Sequence, residues 1–293
     1  MRIVFIGAVE FSHTTLKKLV ELRAEIVGVC TLENSKFNSD HVDLSPLCRE
    51  HNIDCIYATD INSPENINWI KNKKPDVIFC FGWSKLLGKE ILNIAPLGVV
   101  GYHPAALPEN RGRHPLIWAL ALGLKQTAST FFFMDAGADS GDILSQKTID
   151  IEPQDNATSL YTKMTDTALL QLEEFLPTLI SGKFARQPQN HEIANVWRKR
   201  SKKDGVIDWR MSAGSIHNLV RALTKPYVGA SFTYQNQEIT VWKSEIIYGT
   251  PENVEYGKIL EVAASGVVVK CGENSIKLLE TTPAFHPKKG EYL

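Results

Sequence analysis

The sequence has no apolar run approaching the length of a membrane-spanning helix, which predicts no membrane partner. Its start also lacks the basic flank, apolar stretch and cleavage site of a secretory signal, so the chain reads as cytoplasmic. It has no CxxC spacing: Cys30, Cys48, Cys55, Cys80 and Cys271 are scattered, and three of them fall in apolar, strand-like runs, which predicts reduced structural thiols and no metal. An excess of charge of either sign is missing too. The formal net charge is -1, so the chain as a whole has no bias toward nucleic acid or anionic membrane, and any polyanion must be held locally. Glycine is missing where a dinucleotide-binding turn needs it: Gly7-Ala8-Val9-Glu10-Phe11 lacks the second and third glycines that let a pyrophosphate approach, which disfavours a Rossmann dehydrogenase. No internal repeat or low-complexity segment is present.

What is there is an ordinary globular composition, 43% hydrophobic and 22% charged, in a chain of 293 residues, enough for one large domain and a smaller one. The first half alternates short β-branched runs with amphipathic stretches: residues 2–6, 14–22, 26–29, 44–51, 55–57, a helix entered through Ser63-Pro64-Glu65, then residues 77–81 and 99–100. This is the rhythm of βαβ units. It predicts an α/β fold with a doubly wound, mostly parallel sheet whose ligands lie beyond the carboxyl ends of the strands. A long helix follows over about residues 159–181, capped by Asn156 or Thr158. Residues 182–195 are polar and read as a linker, placing the domains at 1–195 and 196–293. Beyond it, a helix near residues 216–223 and five short strands between 230 and 279 predict a small β-barrel.

Two segments carry the chemistry. His103, in Gly101-Tyr102-His103-Pro104, stands where a core strand ends, and Pro104, Pro108 and Pro115 stiffen the loop after it. An isolated histidine there is as readily a structural one, bonded to a loop carbonyl. The second segment, Asp135-Ala136-Gly137-Ala138-Asp139-Ser140-Gly141-Asp142, follows a buried run and offers carboxylates able to approach a ligand or orient an imidazole. A calcium loop would need a closing glutamate that is missing at the right offset.

Taken together, His103-Pro104 to Leu107-Pro108, Arg111-Gly112 to Pro115 and Asp139-Ser140-Gly141 resemble the signature of the N10-formyltetrahydrofolate-dependent formyltransferases. Phe5-Ile6-Gly7 with Phe11, Phe81-Gly82-Trp83, Asp208-Trp209 and residues 216–223 extend the likeness over nearly the whole chain. The resemblance implies a Rossmann-like catalytic domain with an OB-like C-terminal barrel, and N10-formyltetrahydrofolate as co-substrate. It assigns His103 to oxyanion stabilisation and proton relay, with Asp139 orienting or charging it. The pterin is then expected against Phe81, Gly82, Trp83 and Leu86, and against Met134, Gly137 and Ala138. The acceptor is expected near Phe11, Ser12, Lys85, Arg111, Arg113 and His114. One catalytic position departs from the pattern: where the family usually has an asparagine holding the formyl carbonyl, this chain has Gly101.

The acceptor is read from charge. The loop at residues 33–43 is short and mixed in charge, whereas the similar region in methionyl-tRNA formyltransferases is longer and basic, so it argues against tRNA. Arg198-Lys199-Arg200 with Lys202 and Lys203 argues the other way. An amino-sugar nucleotide needs only one or two arginines at its diphosphate, which Arg111 and Arg113 can supply. The sequence therefore favours a sugar-nucleotide formyltransferase, with methionyl-tRNA formyltransferase or a non-catalytic folate- or nucleotide-binding relative as alternatives. It leaves a homo-oligomer open.

Overall fold

Each β-branched run of the first half becomes a strand and most of the amphipathic stretches become crossover helices in a computed structural model that describes residues 1–35 and 40–293. Lys36, Phe37, Asn38 and Ser39, part of the loop used above to judge the acceptor, lie outside the described residues. The chain forms two compact units, one of residues 1–112, 128–149 and 163–196, the other of 113–127, 150–162 and 197–293.

In the first unit, β1 (Arg2–Ile6), β2 (Glu25–Thr31), β3 (Cys55–Tyr57), β4 (Val77–Cys80) and β5 (Val99–His103) run parallel. They are joined by α1 (Glu10–Glu21), α2 (Ser45–Glu50), α3 (Pro64–Asn72) and α4 (Lys89–Leu92). The seven-stranded order is β3-β2-β1-β4-β5-β7-β8, where β7 (Gln126–Phe133) pairs antiparallel with β5 and β8 is Ile143–Asp150. Two two-residue strands, β6 (Arg111–Gly112) and β9 (Val196–Trp197), pair with each other. Strand order reverses between β1 and β4, so a crevice opens at their carboxyl ends. The helix starts follow their sequence signals: Ser63 accepts from Asn66 N–H at 3.3 Å ahead of α3, and Asn156 accepts from Ser159 N–H at 3.1 Å ahead of α6 (Ala157–Ile180).

Aromatic packing fills the sheet's core. Phe81 meets Phe5 edge-on at 5.6 Å, Phe79 stacked at 5.2 Å and Phe131 edge-on at 5.1 Å, and Phe131 meets Phe175 of α6 at 4.9 Å. Such pairs contribute on the order of 0.5–1.5 kcal/mol each beyond the area they bury. Residues 182–195 are more than a linker. Gln187 and Ile143 exchange backbone hydrogen bonds of 2.8 and 2.9 Å, and residues 191–193 form a 3-10 turn. Most polar side chains of the segment are exposed, but Gln189 is buried and bonded.

The second unit has a five-stranded antiparallel sheet, ordered β10-β11-β14-β13-β12, that makes the small C-terminal barrel. Its strands are β10 (Ala230–Tyr234), β11 (Gln237–Ile247), β12 (Ile259–Ala263), β13 (Gly266–Lys270) and β14 (Ser275–Thr282). Register shifts near Lys243 bend β11 where it pairs with β14. Helix α7 (Ala213–Leu223) packs on β11 and on α5 (Pro115–Ala121). Among the described residues, no helix is long and apolar enough to cross a membrane, and no cluster of His, Cys, Asp and Glu is suited to hold a metal ion.

Candidate active site

His103 closes β5 and is 5% exposed. Its Nε2 lies 2.8 Å from the Asn110 carbonyl oxygen. A carbonyl can only accept, so Nε2 carries the proton of the neutral ring and Nδ1 keeps its lone pair. That Nδ1 faces Asp139 Oδ2 at 3.7 Å, too far for a direct hydrogen bond and close enough for a charged pair once the ring takes a second proton. The structural role open to an isolated histidine is thus present at one nitrogen. The other nitrogen is left with a carboxylate opposite it.

The carboxylate is held rather than loosely presented. Asp139 sits at φ 54°, a left-handed conformation that Asp tolerates better than most residues and that needs support from its surroundings. Its Oδ2 accepts the Gly112 N–H at 2.9 Å. Its carbonyl accepts Gln189 Nε2 at 2.9 Å, and the same nitrogen donates to Gly141 O at 2.6 Å. Gln189 Oε1 in turn accepts Arg111 Nε at 3.2 Å and Nη2 at 2.6 Å, and that Nη2 donates to His191 Nδ1 at 3.1 Å. Gln189 was invisible to sequence reasoning, because nothing distinguishes it from the other polar residues around it.

Gly101 has ordinary backbone geometry but no spare room. A Cβ there would lie 2.8 Å from Met134 Cγ, 3.1 Å from Met134 Sδ and 3.2 Å from Phe132 Cε1. The thioether of Met134 occupies the space that a side chain at position 101 would enter.

His103, buried at a strand end, thus faces a braced carboxylate at the carboxyl edge of the doubly wound sheet. Residues 1–174 match the formyl transferase family and residues 199–288 match the formyl transferase C-terminal domain. The chain belongs to the formyl transferase family. It is 33% identical over 284 residues to the methionyl-tRNA formyltransferase of Acetivibrio thermocellus, covering 96% of this chain and 91% of that one. It is also 33% identical over 285 residues to the bifunctional polymyxin resistance protein ArnA of Wigglesworthia glossinidia brevipalpis, covering 95% of this chain and 42% of that one. Among solved structures, WlaRD, a sugar 3N-formyl transferase crystallised with dTDP and 5-N-formyl-THF, shares the fold with a TM-score of 0.73 at 16% identity, over 97% of this chain and 99% of that one. The protein is a folate-dependent N-formyltransferase, with N10-formyltetrahydrofolate as co-substrate.

In this formyltransferase the loop after β4 is partly exposed. Trp83 packs on the core through its ring while its Nε1 is buried with no hydrogen-bond partner, a cost that a ligand acceptor would remove. Leu86 is 83% exposed, and Gly137 and Ala138 are exposed in the loop after β7. Asp135 Oδ1 shapes that loop by accepting Gly137 N–H at 2.9 Å and Ser140 Oγ–H at 2.6 Å. Gly82 (φ 69°) brings the backbone against Val9 and Ser12, where any Cβ would collide at 2.3 and 2.5 Å.

Other predicted positions are committed to the scaffold of the formyltransferase. Ser12 is fully buried; its hydroxyl donates to Phe81 O at 2.6 Å and accepts from the Ala8 and Val9 N–H groups at 3.1 Å each, stitching the turn after β1 to the end of β4. Phe81 itself is core. Phe11 stacks on Tyr102 at 4.2 Å, Lys85 Nζ donates to Thr59 O, and Arg111 is buried against Gln189. Arg113 and His114 belong to the second unit, with Arg113 exposed. His114 takes a left-handed conformation at φ 57° ahead of α5; burial, then Arg113, Arg200 and Lys199, hold its pKa below the ordinary histidine value, and its Nδ1 is buried without a partner.

Proposed function

We propose that this formyltransferase moves the formyl group of N10-formyltetrahydrofolate onto the amine of an amino-sugar nucleotide. The observation that carries the choice of acceptor is that three of the five cations of the basic run, Arg198, Arg200 and Lys202, are engaged within their own unit. Arg198 pairs with Asp204 through both guanidinium ends, Arg200 donates to Asp204 O at 2.5 Å and lies over Trp118 at 4.6 Å, and Lys202 pairs with Glu238 at 2.6 Å. Cations already engaged in this way release few counterions on meeting a phosphate backbone, and that release drives tRNA affinity. A net charge of -1 points the same way.

His103 Nδ1 is the atom suited to take the proton that the acceptor amine must lose, and Asp139 stabilises the resulting imidazolium. The charged ring then favours the negative charge developing on the formyl oxygen, a task for which position 101 supplies no side-chain donor. The folate is placed by this reading against Trp83, Leu86 and residues 134–138.

A second reading keeps methionyl-tRNA as acceptor, supported by 33% identity over nearly full length to a methionyl-tRNA formyltransferase. Tetrahydrofolate release with a panel of nucleotide-linked amino sugars and with methionyl-tRNA separates the two. Turnover with a sugar nucleotide, insensitive to moderate salt, is the expected result. Turnover with tRNA alone, falling steeply with salt, would overturn it. Folate binding without turnover on any acceptor would overturn both.

A further inference from the structure

The five cysteines are not alike. Cys30, Cys80 and Cys271 are buried, and burial pushes each thiol up, to about 12 for Cys80 and Cys271. Cys48, in the last turn of α2, is buried too, but Cys55, the first residue of β3, is only half-buried. Between them the chain doubles back, with Ile53 N–H donating to the Cys48 carbonyl at 2.8 Å, and this return brings both cysteines to the same cavity. Both line this cavity of about 260 Å³, together with Ser45, Arg49 and Tyr57. A water occupies about 30 Å³ of liquid volume, so the cavity admits a small peroxide.

The difference in exposure, with Cys55 half-buried and Cys48 buried, favours one sulfur as the nucleophile. The neighbouring Cys48 thiol is the largest influence on Cys55 and draws its pKa below the ordinary thiol value; burial and Asp43 oppose, while Arg49 acts in the same direction as Cys48. The Cys55 thiol in turn pushes Cys48 up, as does its burial. Arg49 is held at the cavity by its Nη1, which donates to Ser45 Oγ at 3.1 Å, and Asp43 is drawn partly away by accepting from Ser45 Oγ at 2.9 Å and Tyr57 Oη at 3.0 Å. An asymmetric, partly accessible thiol pair beside a guanidinium differs from a set of inert core cysteines.

We infer that Cys48 and Cys55 form a peroxide-sensitive dithiol that closes reversibly to a disulfide pinning α2 to β3. In the first step the Cys55 thiolate attacks one oxygen of hydrogen peroxide; the O–O bond breaks, hydroxide leaves and takes up a proton as water, and Cys55 becomes a sulfenic acid. In the second step the Cys48 sulfur attacks the Cys55 sulfur, the S–O bond breaks, and the sulfenic oxygen leaves as water with the Cys48 proton. Each sulfur gives up one electron, and the peroxide takes both.

The test is treatment of the folded full-length protein with hydrogen peroxide, then alkylation under denaturing conditions and peptide mass mapping. Two of the five thiols should be lost, leaving three, with a linked peptide joining Cys48 to Cys55 and all five recovered after dithiothreitol. In Cys48→Ser the link should vanish and Cys55 should accumulate as a dimedone-reactive sulfenic acid. Five intact thiols, a link from Cys55 to Cys30, or over-oxidation of Cys55 without any link would overturn the inference. Mapping of the unaltered chain decides the matter even if the variant fails to fold.

Discussion

Met134 fills the space in front of Gly101: its Cγ lies 2.8 Å from where a Cβ on Gly101 would be. The missing side chain and the inserted thioether are therefore two aspects of one packing arrangement. Restoring an asparagine is a question of volume before it is a question of hydrogen bonding.

Gly101→Asn alone should destabilise the chain by about 1–3 kcal/mol, the usual cost of forcing extra atoms into a packed site. Adding Met134→Ala should relieve much of that loss and let the amide occupy the freed volume. Urea unfolding and kcat for both single variants and the double variant check this as a cycle. Additive effects would separate the two residues.

His103→Ala and Asp139→Asn should each lower kcat by roughly 10²–10⁴-fold, the range for a positioned acid–base group; the unfolding midpoint should be little changed in Asp139→Asn and lowered in His103→Ala, which empties a buried site and leaves Asn110 O without its donor. The asparagine can still accept the Gly112 N–H, so its effect reports the lost charge. Turnover of the His103→Ala protein at the unaltered rate would remove the histidine from the chemistry.

Gln189→Leu should act on both stability and rate. It leaves the carbonyls of Asp139 and Gly141 without their donor and removes the acceptor of a buried guanidinium. The loss should be about 2–4 kcal/mol, given the cost of unpaired buried polar groups and of bonds to charged ones. The kcat should fall with it because Asp139 loses its brace, and urea unfolding with kinetics on the same preparation measures both.

Asp204→Ala should free Arg198 from its carboxylate partner, while Arg200 keeps its bond to the residue-204 carbonyl, and expose a more positive face on the second unit. Retention on heparin should then require more salt to reverse. If retention is unchanged, the pairing with Asp204 is not what quiets the basic run.

Stability should fall on the acid side of neutrality. His217 and His114 are each held below the ordinary value of 6.5, first by burial and then by neighbouring cations, Arg221 for the former and Arg113, Arg200 and Lys199 for the latter. The unfolded chain binds these protons near 6.5 while the folded one resists them, so the contribution is full above that pH and is lost as pH drops toward the depressed folded values. Urea unfolding at several pH values should show this slope. His217→Gln should flatten it.

The sequence by itself determined the parts that are local: the βαβ rhythm, the caps at Ser63 and Asn156, the polypeptide breaks, and the His103 and Asp139 segments whose spacing carries the family resemblance. These are legible because hydrophobic period, cap chemistry and short motifs act over a few residues. The tertiary structure decided which side chains have a free hand. Ser12 is tied to Phe81 across 69 residues, Arg111 to Gln189 across 78 and Gln189 to Asp139 across 50. Met134 takes the space at Gly101, and a segment that reads as a linker braces the Asp139 loop. Hydrogen-bond partners and shared volumes between distant residues leave no periodic trace in a chain, because they are selected by packing of the finished fold rather than by spacing along it.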